Sequence, residues 1–482
     1  MQTKTILTAE EMRAAEQAVI DAGTPGYQLM LRAGQAVVDS LAGRPETAMV
    51  LCGPGNNGGD GFVIGQLLRA RGVKVRLHAV SPETLPPDAA QARDAFLKAK
   101  GEILPYENFE PAELLIDALF GIGLNRDCDE VLAPVMDHGC TYVIAVDLPS
   151  GLDTNSGRKL GQHALKADLT VTFHAPKPAH FFNDGPRYVG QIKTVDIGIP
   201  DRASGAQMIT RPTVDPAKRH GHKFDYGHAV MVSGPWHSGG AIRLAAASAL
   251  RVGAGLVTIA ADEAAAQIHA AHLDAVMVKP CDAPAFAALV EDRRVSAIGL
   301  GPALGTDENA EAALTVAVES GKPLVLDADA LTLLANTPRD LPQDVIMTPH
   351  EGEFARLVPH LAERLATENR IDLLRDAAAE YGATIVLKGP ATVIASPDGR
   401  ASVYAALYER AVPWLATAGA GDVLTGIITG LLARGFDPFD AAATGVLLHA
   451  EAGRKRGAGL IAEDLPRLLP SILVKWTGQR PD

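Results

Sequence analysis

Cysteine is scarce in this chain: it has four cysteines in 482 residues, far apart and without a Cys-x-x-Cys pair. A disulfide scaffold needs a high density of cysteines and a zinc motif needs closely spaced ones, so both are disfavoured and a reducing compartment is favoured. Long apolar runs are also missing. No stretch of about 18 apolar residues passes without charge or glycine, so no membrane span is predicted. The N-terminus lacks an apolar segment followed by a cleavage site, so we expect no signal peptide and a cytoplasmic location.

Basic residues are outnumbered: Lys and Arg total 44 against 57 Asp and Glu, which gives a net charge of −13. A strongly acidic chain repels nucleic acids and anionic membranes, so we expect neither as a partner. An anionic small molecule would have to be bound by local backbone amides and a few cations, because the overall field opposes it. The apolar content of 47% and the charged content of 21% are ordinary for globular proteins.

The length suggests two or three domains at about 150 residues each. After a helical segment of about 45 residues, which opens with Thr8 and Glu11 in a capping-box pattern, short apolar runs alternate with helical stretches from Ala48 to Pro200. Val-, Ile- and Leu-rich runs of this kind are typical of buried parallel strands. A second alternation runs from Ala229 to Leu387, and a helical C-terminal third follows.

We therefore predict an α/β protein with two tandem three-layer α/β domains. The first occupies residues 1–205 and the second residues 219–482. The polar segment 206–218 between them is the predicted linker.

Residues 53–61 read Gly-Pro-Gly-Asn-Asn-Gly-Gly-Asp-Gly and directly follow an apolar run. They match G-x-G-x-x-G, but the next predicted strand, Val73–Val80, lacks the acid of a dinucleotide-binding Rossmann unit, and the Lys-Ser/Thr of a Walker loop is also absent. The loop is therefore interpreted as another phosphate cradle, in front of a helix predicted over Phe62–Arg69. The side-chain oxygens of Asn56 and Asn57 would suit a monovalent cation. The alternative is a tight turn with left-handed asparagine.

Two further predicted strands end in acids: Asp117 precedes Ala-Leu-Phe-Gly-Ile-Gly, and Asp147 precedes Leu-Pro-Ser150-Gly. Ligands of open parallel sheets bind outside the carboxyl ends of the strands, so these groups are predicted to face one crevice. Asp147 is the candidate acid/base of that crevice. The alternative is that its carboxylate caps the Pro-Ser-Gly turn.

These three motifs together resemble the NAD(P)H-hydrate epimerase domain of the YjeF N-terminal family, which is Rossmann-like, over residues 1 to about 205. Family members commonly carry Glu where Leu31 stands here. The resemblance implies that potassium is bound by Asn57, Asp117 and Ser150. It also implies that the hydrated dinucleotide is contacted by Asn56, Asn57, Gly58, Gly59, Asp60, Gly121, Ile122, Gly123, Leu124, Asn125, Arg126, Asp127 and Asp147.

A second glycine loop, Ala418-Gly-Ala-Gly-Asp422, opens a helix with an apolar stripe that ends near Gly435. Its glycines would let backbone amides converge on a developing anion, and the helix dipole would add to that attraction. Asp422 could be a helix cap. Directly behind an anion hole it is better placed to accept a hydroxyl proton during phosphoryl transfer.

This loop resembles that of the ribokinase-like fold. Ser238-Gly-Gly-Ala, Gly299-Leu-Gly-Pro, Asp327-Ala-Asp and Thr348-Pro-His-Glu-Gly-Glu narrow the resemblance to the ADP-dependent NAD(P)H-hydrate dehydratase domain, over about 219–480. Many dehydratases have Thr where Ala420 stands. The resemblance implies hydrate contacts from Ala241, Gly301, His350 and Asp422. It implies adenine-nucleotide contacts from Lys388, Gly389, Pro390, Ala391, Thr392 and Gly421.

The resulting hypothesis is a bifunctional repair enzyme. One domain would interconvert the R and S forms of hydrated NADH or NADPH, and the other would dehydrate the S form using ADP, with release of AMP and phosphate. K⁺ would serve the first domain and Mg²⁺ the second, for which no ligand set is recognisable in the sequence. A homo-oligomer is also expected. The alternatives are a ribokinase-like sugar or vitamin kinase, and a first domain that only senses nucleotides or acts as a scaffold.

Overall fold

The chain divides into two compact units in the computed structural model, which describes residues 5–200 and 205–479. One unit comprises Met1–Gln207 with Ala366–Asn369, and the other Met208–Leu365 with Arg370–Asp482. Each is built on a largely parallel sheet with connecting helices, which confirms the predicted α/β class. The segment predicted as linker begins with a short strand, Ala206–Met208. Parts of the predicted domains, residues 1–4, 201–204 and 480–482, lie outside the described residues.

The first unit contains a parallel sheet with the strand order β4-β3-β2-β5-β6-β7-β8. A separate short strand, β1, pairs antiparallel with the strand β9, which ends the unit. The strands are β1 Thr5–Ile6, β2 Thr47–Cys52, β3 Lys74–Ala79, β4 Ile103–Leu104, β5 Leu114–Ala118, β6 Tyr142–Val146, β7 Leu169–Phe173, β8 Gln191–Val195 and β9 Ala206–Met208. The helices are α1 Ala9–Asp21, α2 Gly26–Val38, α3 Asn56–Ala70, α4 Pro87–Lys98, α5 Asp129–Leu132 and α6 Gly185–Tyr188.

The capping box at the start of α1 is confirmed: Thr8 Oγ1 accepts from the amide of Glu11, and the Glu11 carboxylate accepts from the amide of Thr8. The expectation of one helical segment of about 45 residues is wrong. A strand precedes α1, and Pro25, which fits at a helix start but not inside a helix, begins a separate helix.

The glycine loop after β2 is itself the start of α3, because that helix begins at Asn56 and not at Phe62. The alternative of a turn with left-handed asparagines is therefore wrong. Small residues are required here, because a Cβ on Gly58 would lie 1.9 Å from the carbonyl oxygen of Gly53, and one on Gly53 would lie 1.7 Å from that of Leu119. Glycine lets the helix start, the strand end and the neighbouring loop approach at backbone distance.

Both faces of this sheet are buried. Val50 and Cys52 pack in a core with α2, α3 and α4, whereas Met49 and Leu51 pack on the other face with residues around α5. This alternation follows from the period of two along a strand. The chain leaves β2 in one direction along the sheet and β5 in the other, so their carboxyl ends flank a topological switch point, where α/β folds bind ligands.

The second unit has the strand order β18-β17-β16-β15-β14-β13-β10-β11-β12, parallel except that β17 is antiparallel to both of its neighbours. The strands are β10 His228–Val232, β11 Leu256–Ala261, β12 Met277–Pro280, β13 Val295–Leu300, β14 Leu324–Leu326, β15 Val345–Met347, β16 Thr384–Leu387, β17 Ala391–Ala395 and β18 Ala401–Ala405. The helices are α7 Gly240–Arg251, α8 Glu263–His272, α9 Ala283–Val290, α10 Glu308–Glu319, α11 Ala328–Asn336, α12 Glu351–Leu357, α13 Pro359–Ala362, α14 Arg370–Tyr381, α15 Ala420–Ala433, α16 Pro438–Arg456 and α17 Asp464–Thr477.

The prediction that only helices follow β16 is wrong, because β17 and β18 come first. The exposed pair Gly389-Pro390 turns the chain straight from β16 into β17, whose residues are buried along their whole length. Such a short run, buried on both faces, does not show the apolar-polar alternation by which strands are recognised in a sequence. In this unit the switch point lies between β10 and β13.

Helices α7 and α15 cross at backbone distance. A Cβ on Gly426 of α15 would lie 2.0 Å from the carbonyl oxygen of Ala245, and one on Gly430 would lie 2.7 Å from that of Ala249. Because α15 carries the second glycine loop at its N-terminus, this crossing fixes where the loop lies.

We expect Gly426→Ala to destabilise the second unit by at least about 2 kcal/mol, because the added methyl group meets backbone that cannot rotate away. Urea unfolding followed by circular dichroism would measure it. Gly240→Ala is the matched control, since a Cβ there meets nothing within 4 Å. Equal unfolding midpoints for the two variants would contradict the close crossing.

Candidate active sites

The crevice of the first unit is bordered by the N-terminus of α3. The helix begins after Gly55 without a side-chain cap, so its first amides remain available to an anion. Asn56 is exposed at this end, and Oδ1 of Asn57 lies 3.0 Å from where a Cβ on Gly121 would be. The two glycine-containing segments after β2 and β5 are thus brought together, as the sequence predicted for one crevice.

A buried carboxylate lies next to this crevice, at the end of β5. Asp117 accepts from Ser150 Oγ at 2.6 Å through Oδ1 and from the Ser150 amide at 2.8 Å through Oδ2. Ser150 Oγ also accepts from the amide of Phe120 at 3.0 Å. Burial raises the pKa of Asp117 to about 6, partly opposed by the Ser150 hydrogen bonds. A carboxylate, a hydroxyl and a nearby amide oxygen are the hard ligands that a monovalent cation accepts.

Asp147, directly after β6, forms a buried ion pair. Its Oδ1 lies 2.5 Å from Nζ of Lys177, which is fully buried. The ammonium also donates to Thr172 Oγ1 at 2.8 Å and to the carbonyl of Phe173 at 3.1 Å. The alternative in which Asp147 caps the Pro-Ser-Gly turn is wrong, because its carboxylate binds Lys177 and the Thr172 hydroxyl. Its φ of 66° is left-handed, which is uncommon for a residue other than glycine.

His180 holds the backbone on both sides of this ion pair. Its Nδ1 accepts from the amide of Lys177 at 2.8 Å, so the tautomer with hydrogen on Nε2 donates to the carbonyl of Asp147 at 3.0 Å. Burial and the nearby ammonium lower the pKa of His180 to about 4, so the ring is neutral at neutral pH. Sequence reasoning missed Lys177 and His180. The stretch His-Ala-Pro-Lys-Pro-Ala-His, directly after β7, is the sequence feature that could have indicated these two residues.

The charge of Asp147 affects the pKa of two more carboxyl groups. Burial, and then repulsion from Asp147, raises the pKa of Glu16 to about 7. The same two causes and the charge of Glu16 raise the pKa of Asp60 well above its usual range. The raised pKa values of Glu16 and Asp60 mean that protons are available on these two groups at neutral pH. Glu16, on α1, was not among the predicted site residues.

The residues of the loop after β5, which are predicted to contact the dinucleotide, have different environments in the structure. The carbonyl of Ile122 accepts from Arg13 of α1 at 3.0 Å. Leu124 packs in the core, and Oδ1 of Asp127 accepts from the amide of Asp129, so the end of the loop turns toward α5. Any ligand contact by Leu124 would have to come from its backbone. The remaining exposed members are Gly123, Asn125 and Arg126.

The second site is organised by Asp327, a buried acid directly after β14. It accepts from Nζ of Lys388 at 2.7 Å and from Oγ1 of Thr425 at 2.6 Å. Glu353 lies 3.6 Å from the same ammonium. The two acids raise the pKa of Lys388 against the opposing effect of burial, so the lysine stays charged. Neither Asp327 nor Thr425 was assigned a role from the sequence.

The catalytic candidate Asp422 lies in the first turn of α15. The N-cap is Gly419, with φ of 88°, so capping is not the role of the Asp422 carboxylate. Burial, followed by the negative charge of Asp327, raises the pKa of Asp422 to about 6, and Lys388 opposes this shift. A Cβ on Gly421 would lie 3.8 Å from Nζ of Lys388, so the glycine loop faces the lysine.

The other predicted hydrate residues lie in the same unit: Gly301 contacts Asp327, and His350 and Ala241 lie at helix starts. A Cβ on Gly301, whose φ is 123°, would lie 1.8 Å from the carbonyl oxygen of Asp327. His350 caps α12 through Nδ1, which accepts from the amides of Gly352 and Glu353, so only Nε2 can meet a ligand. Ala241, half-buried in the first turn of α7, completes the group.

The predicted nucleotide stretch starts at this lysine. The amide of Lys388 donates to the carbonyl of Pro349, and Gly389 and Pro390 form the exposed turn that follows. Ala391 and Thr392 belong to β17 and are buried, and the Thr392 hydroxyl donates to the carbonyl of Gly389 at 2.9 Å. The turn is therefore the accessible part of this stretch.

Both units thus place a glycine-rich helix start and buried acids at the carboxyl edge of a parallel sheet, which is the architecture of nucleotide-binding α/β enzymes. The model of the NAD(P)H-hydrate dehydratase family matches residues 229–474, and that of the YjeF-related protein N-terminus matches residues 26–179. A bifunctional NAD(P)H-hydrate repair enzyme from Coxiella burnetii is 36% identical over 94% of this chain and 96% of its own length. The enzyme of the same name from Escherichia coli is 35% identical over 97% of this chain and 94% of its own length.

Among solved structures, the ADP/ATP-dependent NAD(P)H-hydrate dehydratase of Bacillus subtilis, co-crystallized with ATP/Mg²⁺, is 29% identical, covers 55% of this chain and 95% of its own, and has a TM-score of 0.47. The identity to the full-length relatives decides the assignment. This chain belongs to the family of bifunctional NAD(P)H-hydrate repair enzymes.

Neither a membrane span nor a compact metal cluster is found in the described residues. None of their helices is long and apolar enough to cross a bilayer. Within the same residues, no group of three or more His, Cys, Asp or Glu side chains could hold a metal ion.

We expect Lys177→Met to destabilise the first unit by about 3 to 5 kcal/mol, because it leaves the Asp147 carboxylate buried without its partner. Urea unfolding would measure the loss. Lys193→Met, which removes an exposed lysine on β8, is the control and should stay within about 0.5 kcal/mol of the wild type. The double variant Asp147→Asn, Lys177→Met should recover part of the loss. A Lys177→Met protein as stable as the control would show that the pair contributes nothing.

Proposed function

We propose that this chain repairs hydrated NADH and NADPH. Its first unit interconverts the R and S hydrates, and its second unit dehydrates the S hydrate using ADP. The observation that carries the proposal is that each family-matched unit has a buried acid beside an open, glycine-rich helix start. The full-length relatives are named bifunctional NAD(P)H-hydrate repair enzymes, which supports two activities on the hydrated coenzyme.

In the second unit, Asp422 acts as the base. Its carboxylate removes the proton from the C6 hydroxyl of the hydrate, and that oxygen attacks the β-phosphorus of ADP. The bond from the β-phosphorus to the bridging oxygen breaks, and AMP leaves with the electron pair. A pKa of about 6 leaves Asp422 ionised at neutral pH and still basic enough to accept the proton.

The backbone amides at Gly421 and Asp422 and the ammonium of Lys388 stabilise the charge that develops on the transferring phosphoryl group. The glycine loop is rigidly held by the crossing of α7 and α15, so these donors need little reorganisation. The contacts from Asp327 and Glu353 keep Lys388 in position.

The phosphorylated intermediate then loses phosphate. The lone pair of the ring nitrogen expels the phosphate from C6, and loss of the C5 proton restores the C5–C6 double bond of NADH or NADPH. The products are the repaired coenzyme, AMP and phosphate, and the atoms balance without an oxidant or a reductant.

In the first unit, Asp147 moves the proton that epimerisation needs. Reversible loss and return of the C6 hydroxyl, or ring opening, both require one group to accept and return a proton. Lys177 and Thr172 hold the Asp147 carboxylate in place, and Glu16 and Asp60 keep protons nearby at neutral pH.

Potassium fits this unit. Asp117 is a buried carboxylate whose hydrogen bonds come from neutral donors, and the Ser150 hydroxyl and the Asn57 amide would complete an oxygen site. Such an ion would neutralise the buried charge and hold the loops after β2 and β5 together. Magnesium, in the second unit, would depend on nucleotide phosphate oxygens for its ligands. We also propose that the protein is a cytoplasmic homo-oligomer, and its free cysteines fit a reducing compartment.

A small-molecule kinase with an accessory first domain is the remaining alternative for the glycine loop and base. Incubation with ADP and the hydrate distinguishes the two functions. Recovery of the absorbance of the reduced nicotinamide with release of AMP supports repair. Phosphate transfer to a sugar or vitamin with an unchanged hydrate would overturn it.

The two activities should separate by mutation. With a mixture of both hydrates and ADP, we expect Asp147→Asn to consume only the S hydrate, and Asp422→Asn to consume neither while still exchanging the two. Chromatography of both hydrates over time would measure this. Each variant is the other's control, because each retains one activity. An Asp147→Asn enzyme that exchanges the hydrates as fast as the wild type would remove Asp147 from the role of acid/base. A wild type that exchanges them no faster than the spontaneous rate would leave the first unit as a sensor or a scaffold.

Dehydration should depend on pH through Asp422. The base must be ionised, and its pKa is raised to about 6, so kcat/KM for the S hydrate should be constant above that pH. Below it, kcat/KM should fall by about tenfold per pH unit. Initial rates of AMP release between pH 4.5 and 8 would test this dependence. At each pH, the decay of the hydrate without enzyme would be measured as well. A flat profile through pH 6 would remove Asp422 from the role of base.

A further inference from the structure

A cavity of about 560 Å³ lies in the second unit, apart from the acids described above. It is found at the carboxyl ends of β10, β11 and β12, next to the loop that follows β13. Its volume is within the range of pockets that hold small molecules, and it lies at the edge of the sheet where α/β folds bind ligands.

The cavity shares two loops with the proposed dehydratase site. The loop after β10 contributes Gly234 to the cavity and continues to Ala241, a proposed hydrate contact. The loop after β13 starts with Gly301 at the site and contributes Leu304 to the cavity. The loops touch, because a Cβ on Gly234 would lie 1.8 Å from the carbonyl oxygen of Ala303. A ligand that enters the site at the switch point can therefore extend along both loops into the cavity.

The charges of the lining determine what kind of ligand fits. Asp262, Glu263, Asp282 and Asp307 line the cavity, and the residues that line it in the described structure include no lysine, arginine or histidine. Three of these carboxylates cap helices through Oδ1, so their Oδ2 atoms can still accept hydrogen bonds. Apolar groups such as Phe286 form the rest of the wall. Such a cavity accepts a flat apolar base and sugar hydroxyls and repels a phosphate.

We propose that this cavity binds the adenosine half of the hydrated dinucleotide, with its ribose hydroxyls donating to the carboxylates. This rests on the proposed function, which places the hydrated ring beside Asp422. It makes the second unit selective for NADH hydrate, because the 2′-phosphate of NADPH hydrate would meet acids in a lining that contains no lysine, arginine or histidine. Acids at the ribose 2′-hydroxyl favour NAD over NADP in dinucleotide sites for the same reason.

The main test compares three substrates: the S hydrates of NADH, of NADPH and of reduced nicotinamide mononucleotide, which lacks the adenosine half. We expect the wild type to prefer NADH hydrate over NADPH hydrate by at least about tenfold in kcat/KM, the factor that about 1.4 kcal/mol gives. Ala313→Phe, which fills the cavity, should raise KM for NADH hydrate about tenfold and leave kcat/KM for the mononucleotide hydrate unchanged. Ala312→Phe, on the same helix but outside the lining, is the matched control.

A charge change should move the preference. Glu263→Lys places a cation in the lining. It should reduce the ratio of kcat/KM for NADH hydrate to kcat/KM for NADPH hydrate severalfold and leave kcat/KM for the mononucleotide hydrate unchanged. A wild type that uses both dinucleotide hydrates equally, together with an unchanged KM in Ala313→Phe, would overturn the proposal.

A binding measurement independent of activity uses Cys281, whose half-buried thiol lines the cavity. In a Cys140→Ser background, NAD⁺ should slow the labelling of Cys281 by a maleimide, and NADP⁺ at the same concentration should slow it much less. Equal labelling with and without NAD⁺ would overturn the assignment even if Ala313→Phe fails to fold. Absence of dehydration with all three hydrates would instead refute the proposed function, and the labelling would still decide what the cavity binds.

Discussion

Each site holds more buried carboxyl groups than ammonium groups, and this imbalance determines its chemistry. In the first unit, Asp147 pairs with Lys177, and the charge of Asp147 raises the pKa of Glu16 and Asp60. In the second, Asp327 and Glu353 contact Lys388, and the charge of Asp327 raises the pKa of Asp422. A buried carboxylate without a counter-charge is costly, so the surplus groups bind protons near neutral pH. Each lysine holds one acid as a charged partner, and Glu16, Asp60 and Asp422, whose pKa values are raised, become able to exchange protons.

Backbone proximity is the second common constraint. The N-terminus of α3 reaches Gly53, and α15 crosses α7 at Gly426, in each case where a side chain would collide with a carbonyl group. The glycines therefore position the helix starts that face the two crevices. In α3, Gly58 both allows the close approach and lies in the first turn, whose amides are open to an anion.

The α/β class and most strands could be predicted because buried parallel strands leave short apolar runs between helical stretches. Leu169–Phe173 and Thr384–Leu387 are examples of such runs, whereas the start of α3 was misplaced because glycine disfavours a helix except where packing requires it. The acids at strand ends were visible in the sequence. Their partners were not: Lys177 lies 30 residues from Asp147, and Thr425 lies 98 residues from Asp327. Contacts across such distances follow from the tertiary fold and leave no local pattern.

The distance along the chain between Asp147 and Lys177 also has a consequence for synthesis. The ammonium is sealed from water and bonded to Asp147, Thr172 and Phe173, so the first unit cannot complete its charge balance until this lysine has left the ribosome. At about 5 to 20 residues per second, the 30 residues between Asp147 and Lys177 take a few seconds to synthesise. During translation, Asp147 therefore remains without its ion-pair partner for at least that time.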